Sequence, residues 1–289
     1  MTPVSWSALS GRRVGIDALS FLYKARATNT PLLEMLSGLV RALRAWGIEP
    51  LFVFDGKSPR EKDGTRSARR RQKQVAEVAE KPVARVSSED RNEVKQLLYA
   101  LGVLALNAEE EADPLLAYMV RNGAIAAVIS ADMDFLPRGV PLLIIPTDLT
   151  DLVTWHAASL AHIIRQAKLS YTQFVEMCAL MGCDYAPTIP TISYKTAYEA
   201  LLMGRTMLEI LAGEGIRTPT AWIRAVSMLR GEKDTWESLL SVKQREKWAA
   251  GPPPAEPDAD ILLSLNNHCK SHNMPPPHRW SLHPPAQVV

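Results

Sequence analysis

Seven carboxylates stand where they could act together: Asp17, Asp55, Glu111, Asp113, Asp132, Asp134 and Asp184. Three short apolar runs lead into such acids. Residues 14–16 run into Asp17, 51–54 into Asp55, and 125–129 toward Asp132 and Asp134. In an open parallel sheet the carboxyl ends of the strands gather on one side, and ligands bind there. Acids at three such ends would converge, and like charges so close cannot all ionise without cations between them. Glu111 and Asp113 open a helix, where the dipole tolerates negative charge. Asp184 follows Gly182-Cys183, after a further helix. Oxygen donors alone, with no His or Cys among them, suit a hard cation such as Mg²⁺ or Mn²⁺. Taken singly, each acid also has a plain reading as a turn residue or helix cap, and an Asp-x-Asp after a strand also occurs in phosphatases and sugar transferases. It is the combination that points to a metal centre.

The elements that must position these acids are readable from periodicity. Strands are expected at 14–16, 51–54, 125–129 and 142–145. Helices are expected at 31–46, 89–101 and 111–122, the first ended by Gly47 and the others by Gly102 and Gly123. Pro114 suits the first turn of the last of these, where a missing N–H costs nothing. Strands alternating with helices predict an α/β fold with a mainly parallel central sheet flanked by helices. From about residue 160 the pattern turns helical, with helices at 171–181 and 194–203 and a turn-rich link at 182–193. The expected division is an α/β core at 1–165, a helical region at 166–250 and a Pro-rich segment at 251–289.

Charge is distributed rather than excessive. The formal net charge is +2, but 60–73 (REKDGTRSARRRQK) is strongly basic and 109–113 (EEEAD) acidic. A protein holding nucleic acid and metal together needs both kinds of patch kept apart; two solvated faces are the plainer alternative. Cys178, Cys183 and Cys269 match no zinc spacing. They fit an intracellular, reducing location; the expected compartment is the nucleus before the cytoplasm, with a viral origin left open. No apolar run approaches the roughly 20 residues that span a bilayer, and the first residues show no signal-peptide core.

Four segments carry a resemblance: GRRVGIDALSFLYKA, GIEPLFVFDGKSPREKDG, NAEEEADPLLAYMVRNGAIAAVISADMDFL and FVEMCALMGCDYAPTIPTISYKTAYEAL. They cover most of 11–201, and the chain resembles the flap endonuclease family of structure-specific 5′-nucleases, which includes the XPG-type repair nucleases. The resemblance implies a PIN-like nuclease fold with a helix–two-turn–helix. It assigns Asp17, Asp55, Glu111 and Asp113 to one metal ion and Asp132, Asp134 and Asp184 to a second, several through water. Two Mg²⁺ (or Mn²⁺) ions roughly 3.5–4 Å apart would serve an in-line displacement. Lys62 and Arg69 match the family's basic pair on the helical arch (here about 58–88), which meets the scissile phosphate. Arg66, Arg70 and Arg71 lie in the same basic run and Lys195 on the helix–two-turn–helix, all as DNA contacts. Tyr23 matches an aromatic on which a substrate base stacks; a core tyrosine is the alternative.

The resemblance also implies the partners: DNA with a 5′ flap, nick, bubble or branch, an RNA strand in some substrates, and a monomer, with no membrane and no clear sliding-clamp peptide. The chain departs from the family in four places. Thr2 stands where Gly is usual, the wedge between Tyr23 and Pro31 is short, and so is the arch between Arg71 and Glu89. The turn Ile189-Pro190-Thr191-Ile192-Ser193 lacks the glycines that let backbone approach a phosphate and a K⁺ ion. The expected activity is metal-dependent hydrolysis of DNA phosphodiesters in replication, repair or recombination. The rivals are a 5′→3′ exonuclease or junction cutter, an inactive nucleic-acid-binding scaffold, and a phosphatase-like hydrolase using Asp132 and Asp134.

Overall fold

The structure is a computed structural model that describes residues 1–57, 86–149, 151 and 154–254. Among these, seven strands build one sheet: β1 (Thr2–Pro3), β2 (Arg13–Asp17), β3 (Glu49–Phe54), β4 (Leu104–Asn107), β5 (Ala127–Ile129), β6 (Leu142–Ile145) and β7 (His156–Ser159). Their spatial order is β1-β7-β6-β5-β2-β3-β4. The stretch from β6 to β4 is parallel throughout, while β7 and β1 close the other edge antiparallel. The sheet is mainly parallel, as the alternation of strands and helices predicts.

The central strands read as unbroken apolar runs because both faces are covered. Side chains alternate across the sheet: Phe52 and Phe54 point into one core with Val14 and Ile16, Leu51 and Val53 into the other with Val128 and Leu143. Helices α1 (Ala18–Ala27), α2 (Leu32–Ala45) and α3 (Ser88–Ala100) fill the first core with Phe21, Leu36 and Leu98; α4 (Ala112–Arg121) fills the second with Leu115, Leu116 and Met119. The four expected strands all occur, within two residues at their ends. β4, β7 and β1 were not foreseen. β4 is a bare LALN between a helix and an acidic loop, and β7 is HAAS; neither carries enough apolar alternation to announce itself.

Beyond β7 the chain is helical: α5 (Leu160–Ala167), α6 (Tyr171–Leu180), α7 (Tyr194–Leu202), α8 (Met207–Gly213), α9 (Thr220–Arg230), α10 (Trp236–Leu239) and α11 (Val242–Ala250). Leu180, Ile192, Leu201, Leu211 and Trp222 give this region a core of its own. α10 and α11 then return to the sheet. The Trp236 ring meets Tyr118 edge-on at 5.2 Å and lies at 5.9 Å from Trp248. The Gln244 side chain accepts a hydrogen bond from the Asn107 N–H at 2.9 Å, on the outer edge of β4. Among the described residues no helix is long and apolar enough to cross a membrane.

Candidate metal centre

The carboxyl ends of β5, β2, β3 and β4 lie side by side, and each delivers acids to the same end of the sheet. Asp17 closes β2 and caps α1, accepting from the Ser20 N–H at 3.2 Å. Its other oxygen accepts from the Ser130 hydroxyl at 2.9 Å, and Ser130 Oγ in turn accepts from the Asp132 N–H at 3.1 Å. The loops after β2 and β5 are thereby tied together. Asp132 caps the short helix that carries Asp134, accepting the Asp134 N–H at 2.8 Å.

Asp55 follows β3 and accepts from the Ala112 N–H at 2.8 Å, so a β3 acid caps the helix that carries Asp113. The loop between β4 and α4 is fixed from two sides. Gly56 N–H donates to the Glu110 carbonyl at 2.5 Å, Lys57 N–H to that of Glu109 at 3.0 Å, and Glu109 N–H to the Leu239 carbonyl at 2.9 Å. Gly56 is required here, because a Cβ would run into the Ala108 and Glu109 carbonyl oxygens. Asp184 sits in the tight turn closed by the Cys183–Ala186 bridge. Gly182, at φ +89°, opens that turn against the backbone of Thr188.

The electrostatics bear the mark of convergence. Burial pushes the Asp17 carboxyl from 3.8 up to about 6, and Asp55 and Asp132 push the same way against the pull of Ser130 and Ser20. Burial also pushes the Cys178 thiol up to about 12, with Asp134 adding to it; Cys183 is raised by burial too, with Asp134 and Asp184 contributing. Both shifts register the nearby carboxylates Asp134 and Asp184. Arg138 is 2% exposed. Its burial opposes the charge, but Tyr185, Asp113 and Glu111 outweigh that and raise its pKa. Among the described residues no three His, Cys, Asp or Glu side chains close around one point as a finished cage. Hard oxygen donors, and a buried Asp17 that resists ionising beside its neighbours, fit a divalent cation.

The other expected residues divide in two. Tyr23 lies on α1 and is 42% exposed, so the core alternative for it does not hold. The Lys195 side chain is 73% exposed, with Glu199 4.0 Å away. Ile189 and Ile192 are buried inward from the glycine-free turn, and the Thr191 hydroxyl donates to Glu214 at 2.5 Å. Lys62, Arg66, Arg69, Arg70 and Arg71, with the arch as far as residue 85 and the Pro-rich segment from residue 255, lie outside the described residues. Residues that the sequence reading passed over are Ser20, Ser130, Arg138 and Tyr185. Only Tyr185 had a signal, its place beside Asp184.

A doubly covered parallel sheet with oxygen-only acids along its carboxyl edge and a helical extension is a PIN-like fold. The XPG N-terminal domain matches residues 1–76 and the XPG I-region residues 102–184, together more than half of the chain. The chain belongs to the XPG family. Flap endonuclease 1 of Leishmania braziliensis is 31% identical over 227 residues, which is 66% of this chain and 58% of that protein. The chain thus spans somewhat under two thirds of that relative's length. The flap endonuclease-1 structure from Methanococcus jannaschii superposes with a TM-score of 0.60 at 22% identity, covering 80% of this chain and 81% of that one. The catalytic core of Rad2 in complex with a DNA substrate gives a TM-score of 0.65 at 17% identity, covering 93% and 90%.

Proposed function

We propose that the chain is a divalent-metal-dependent, structure-specific 5′-nuclease that hydrolyses DNA phosphodiesters at flaps, nicks, bubbles or branches. The observation that carries this is the delivery of acids by four adjacent parallel strand ends to one edge, with Asp17 pushed up by burial and by Asp55 and Asp132. A scaffold that merely bound nucleic acid would have no use for mutually repelling buried charge. Two of the related proteins named above are flap endonucleases, and the third, the Rad2 catalytic core, holds a DNA substrate.

In this reading Asp17, Asp55, Glu111 and Asp113 hold one ion and Asp132, Asp134 and Asp184 the other. When bound, Mg²⁺ or Mn²⁺ would supply the positive charge that in-line displacement at phosphorus needs. The chain supplies the rest. Ser20 and Ser130 hold the Asp17 carboxylate in one orientation. Asp55, through the Ala112 N–H, keeps the start of α4 against the end of β3. Lys62 and Arg69 neutralise charge that builds on the non-bridging oxygens, Tyr23 stacks on a base at the exposed face of α1, and Lys195 meets a backbone phosphate. Inward-facing Ile189 and Ile192, with Glu214 at the tip of the turn, give a looser hold on the downstream duplex than a glycine turn would. Substrate choice is correspondingly broad, reaching bubbles and junctions.

End-labelled flap, nick, bubble, four-way junction and single-stranded substrates, with Mg²⁺ and with chelator, test the proposal. Cutting near the branch that chelator stops is expected. Hydrolysis of a small phosphate monoester with no cutting of DNA would move the chain to the phosphatase-like class.

A further inference from the structure

Arg138 is the one basic side chain among the described residues that is fully buried. It lies four residues after Asp134, and no motif quoted above assigns it a role. Its Nη2 donates to the Tyr185 hydroxyl at 2.5 Å and its Nη1 to the Met228 carbonyl on α9 at 3.3 Å. The guanidinium carbon stands 5.6 Å from the centre of the Tyr185 ring. The same hydroxyl donates to Glu111 Oε2 at 3.3 Å.

The chemistry fixes the direction of this chain. A guanidinium has no acceptor, so it must donate to the phenol oxygen, and the single phenol proton is then free to point at the carboxylate. A charge-assisted donor on one side strengthens the hydroxyl as a donor on the other. Glu111, Arg138 and Tyr185 also line one cavity of about 300 Å³.

We infer that Arg138 and Tyr185 form a strut that aims Glu111 at the cation, acting as positioning residues rather than ligands. The strut starts on α9, outside the sheet, and ends on a carboxylate beside β4. It couples the seating of the helical region to the geometry of the metal centre. The inference rests on the assignment of Glu111 to a metal ion in the proposed function.

The test is calorimetric titration of the full chain with Mn²⁺. Tyr185→Phe keeps the ring and its packing and removes only the hydroxyl. It should raise the Mn²⁺ Kd by about 10-fold, the lower end of what partners of metal ligands usually contribute, with little change in Tm under chelator. Arg138→Lys keeps the charge but cannot hold Met228 and Tyr185 together, and should shift the Kd in the same direction. In a Glu111→Gln background, Tyr185→Phe should add nothing further. A wild-type Kd in Tyr185→Phe, or an undiminished effect of Tyr185→Phe without the Glu111 carboxylate, overturns the strut. So does a wild type that takes up no Mn²⁺. Flap cleavage is measured alongside: a wild type that binds Mn²⁺ with the expected mutant pattern but cuts nothing defeats the nuclease reading and leaves the strut standing.

Discussion

The metal end of the sheet and the tip of the helical region make opposite use of charge. At the sheet, Asp17, Asp55 and Asp132 each accept a backbone N–H at a helix start, and Asp17 is buried. At the helical tip, Lys195 is exposed and loosely paired, and Thr191 is engaged by Glu214. The first arrangement is preset by the fold and sets like charges beside one another; the second is solvated and costs nothing to leave empty. Chemistry that must be exact is built on strand ends, whereas grip on a long polyanion, shared over many phosphates, tolerates mobile side chains.

The sharpest way to break this contrast is at the second set of acids. Asp134→Ala or Asp184→Ala should take flap cleavage below detection while DNA binding, read by anisotropy in Ca²⁺, stays level or tightens because a repulsive charge is gone. Wild-type cleavage rates in Mg²⁺ from either variant would end the metal assignment. Next is the backbone. Gly56→Ala forces the Ala108 and Glu109 carbonyls away, and should lower the single-turnover rate by about 10²-fold, as misplacement by an ångström commonly does. An unaltered rate would show that the loop tolerates the shift.

The third prediction uses that crowding of like charge directly. Asp17 holds its proton more tightly when folded, at about 6, than at its ordinary 3.8. Its contribution to stability is therefore fully present below pH 3.8 and is lost as pH rises through 6. Asn does not titrate. In chelator at neutral pH, Asp17→Asn should raise stability by roughly 1–3 kcal/mol, with the gain fading toward pH 4 and reversed by Mn²⁺. Denaturant melts at several pH values check it, and a lower midpoint for Asp17→Asn at neutral pH would refute it. The smallest effect belongs to the helical tip. Lys195→Ala should weaken duplex binding only a few-fold, evenly across sequences, and reduce the salt slope by about 1. A specific loss at one substrate structure would instead make Lys195 a recognition residue.

Much of this contrast was legible in the sequence, and unevenly. Asp17, Asp55 and Asp132 were readable because strands buried on both faces leave unbroken apolar runs that stop at a polar residue. Glu111 and Asp113 were readable as a helix start, yet the strand that places them, β4, was not, since four residues between a helix and an acidic loop carry no period. Arg138 was invisible for a different reason. A lone arginine after a turn reads as solvent-facing, and only the packing of α9 over it and the meeting with Tyr185, 47 positions away, make it internal. Local pattern thus marks what each strand ends in, while pairings between distant segments decide which acids are braced.

The bond from Asn107 to Gln244 has a consequence during synthesis. β4 is an open edge of the sheet until α11 covers it, and α11 is made last among the described elements. At about 5–20 residues per second the nascent chain carries that bare edge for on the order of ten seconds. During that time its unpaired N–H and C=O groups are a template for a strand from another molecule. Helix α11, distant in sequence from all seven carboxylates of the sheet end, is therefore what closes that edge, and a chain ending at residue 240 would emerge with its edge bare.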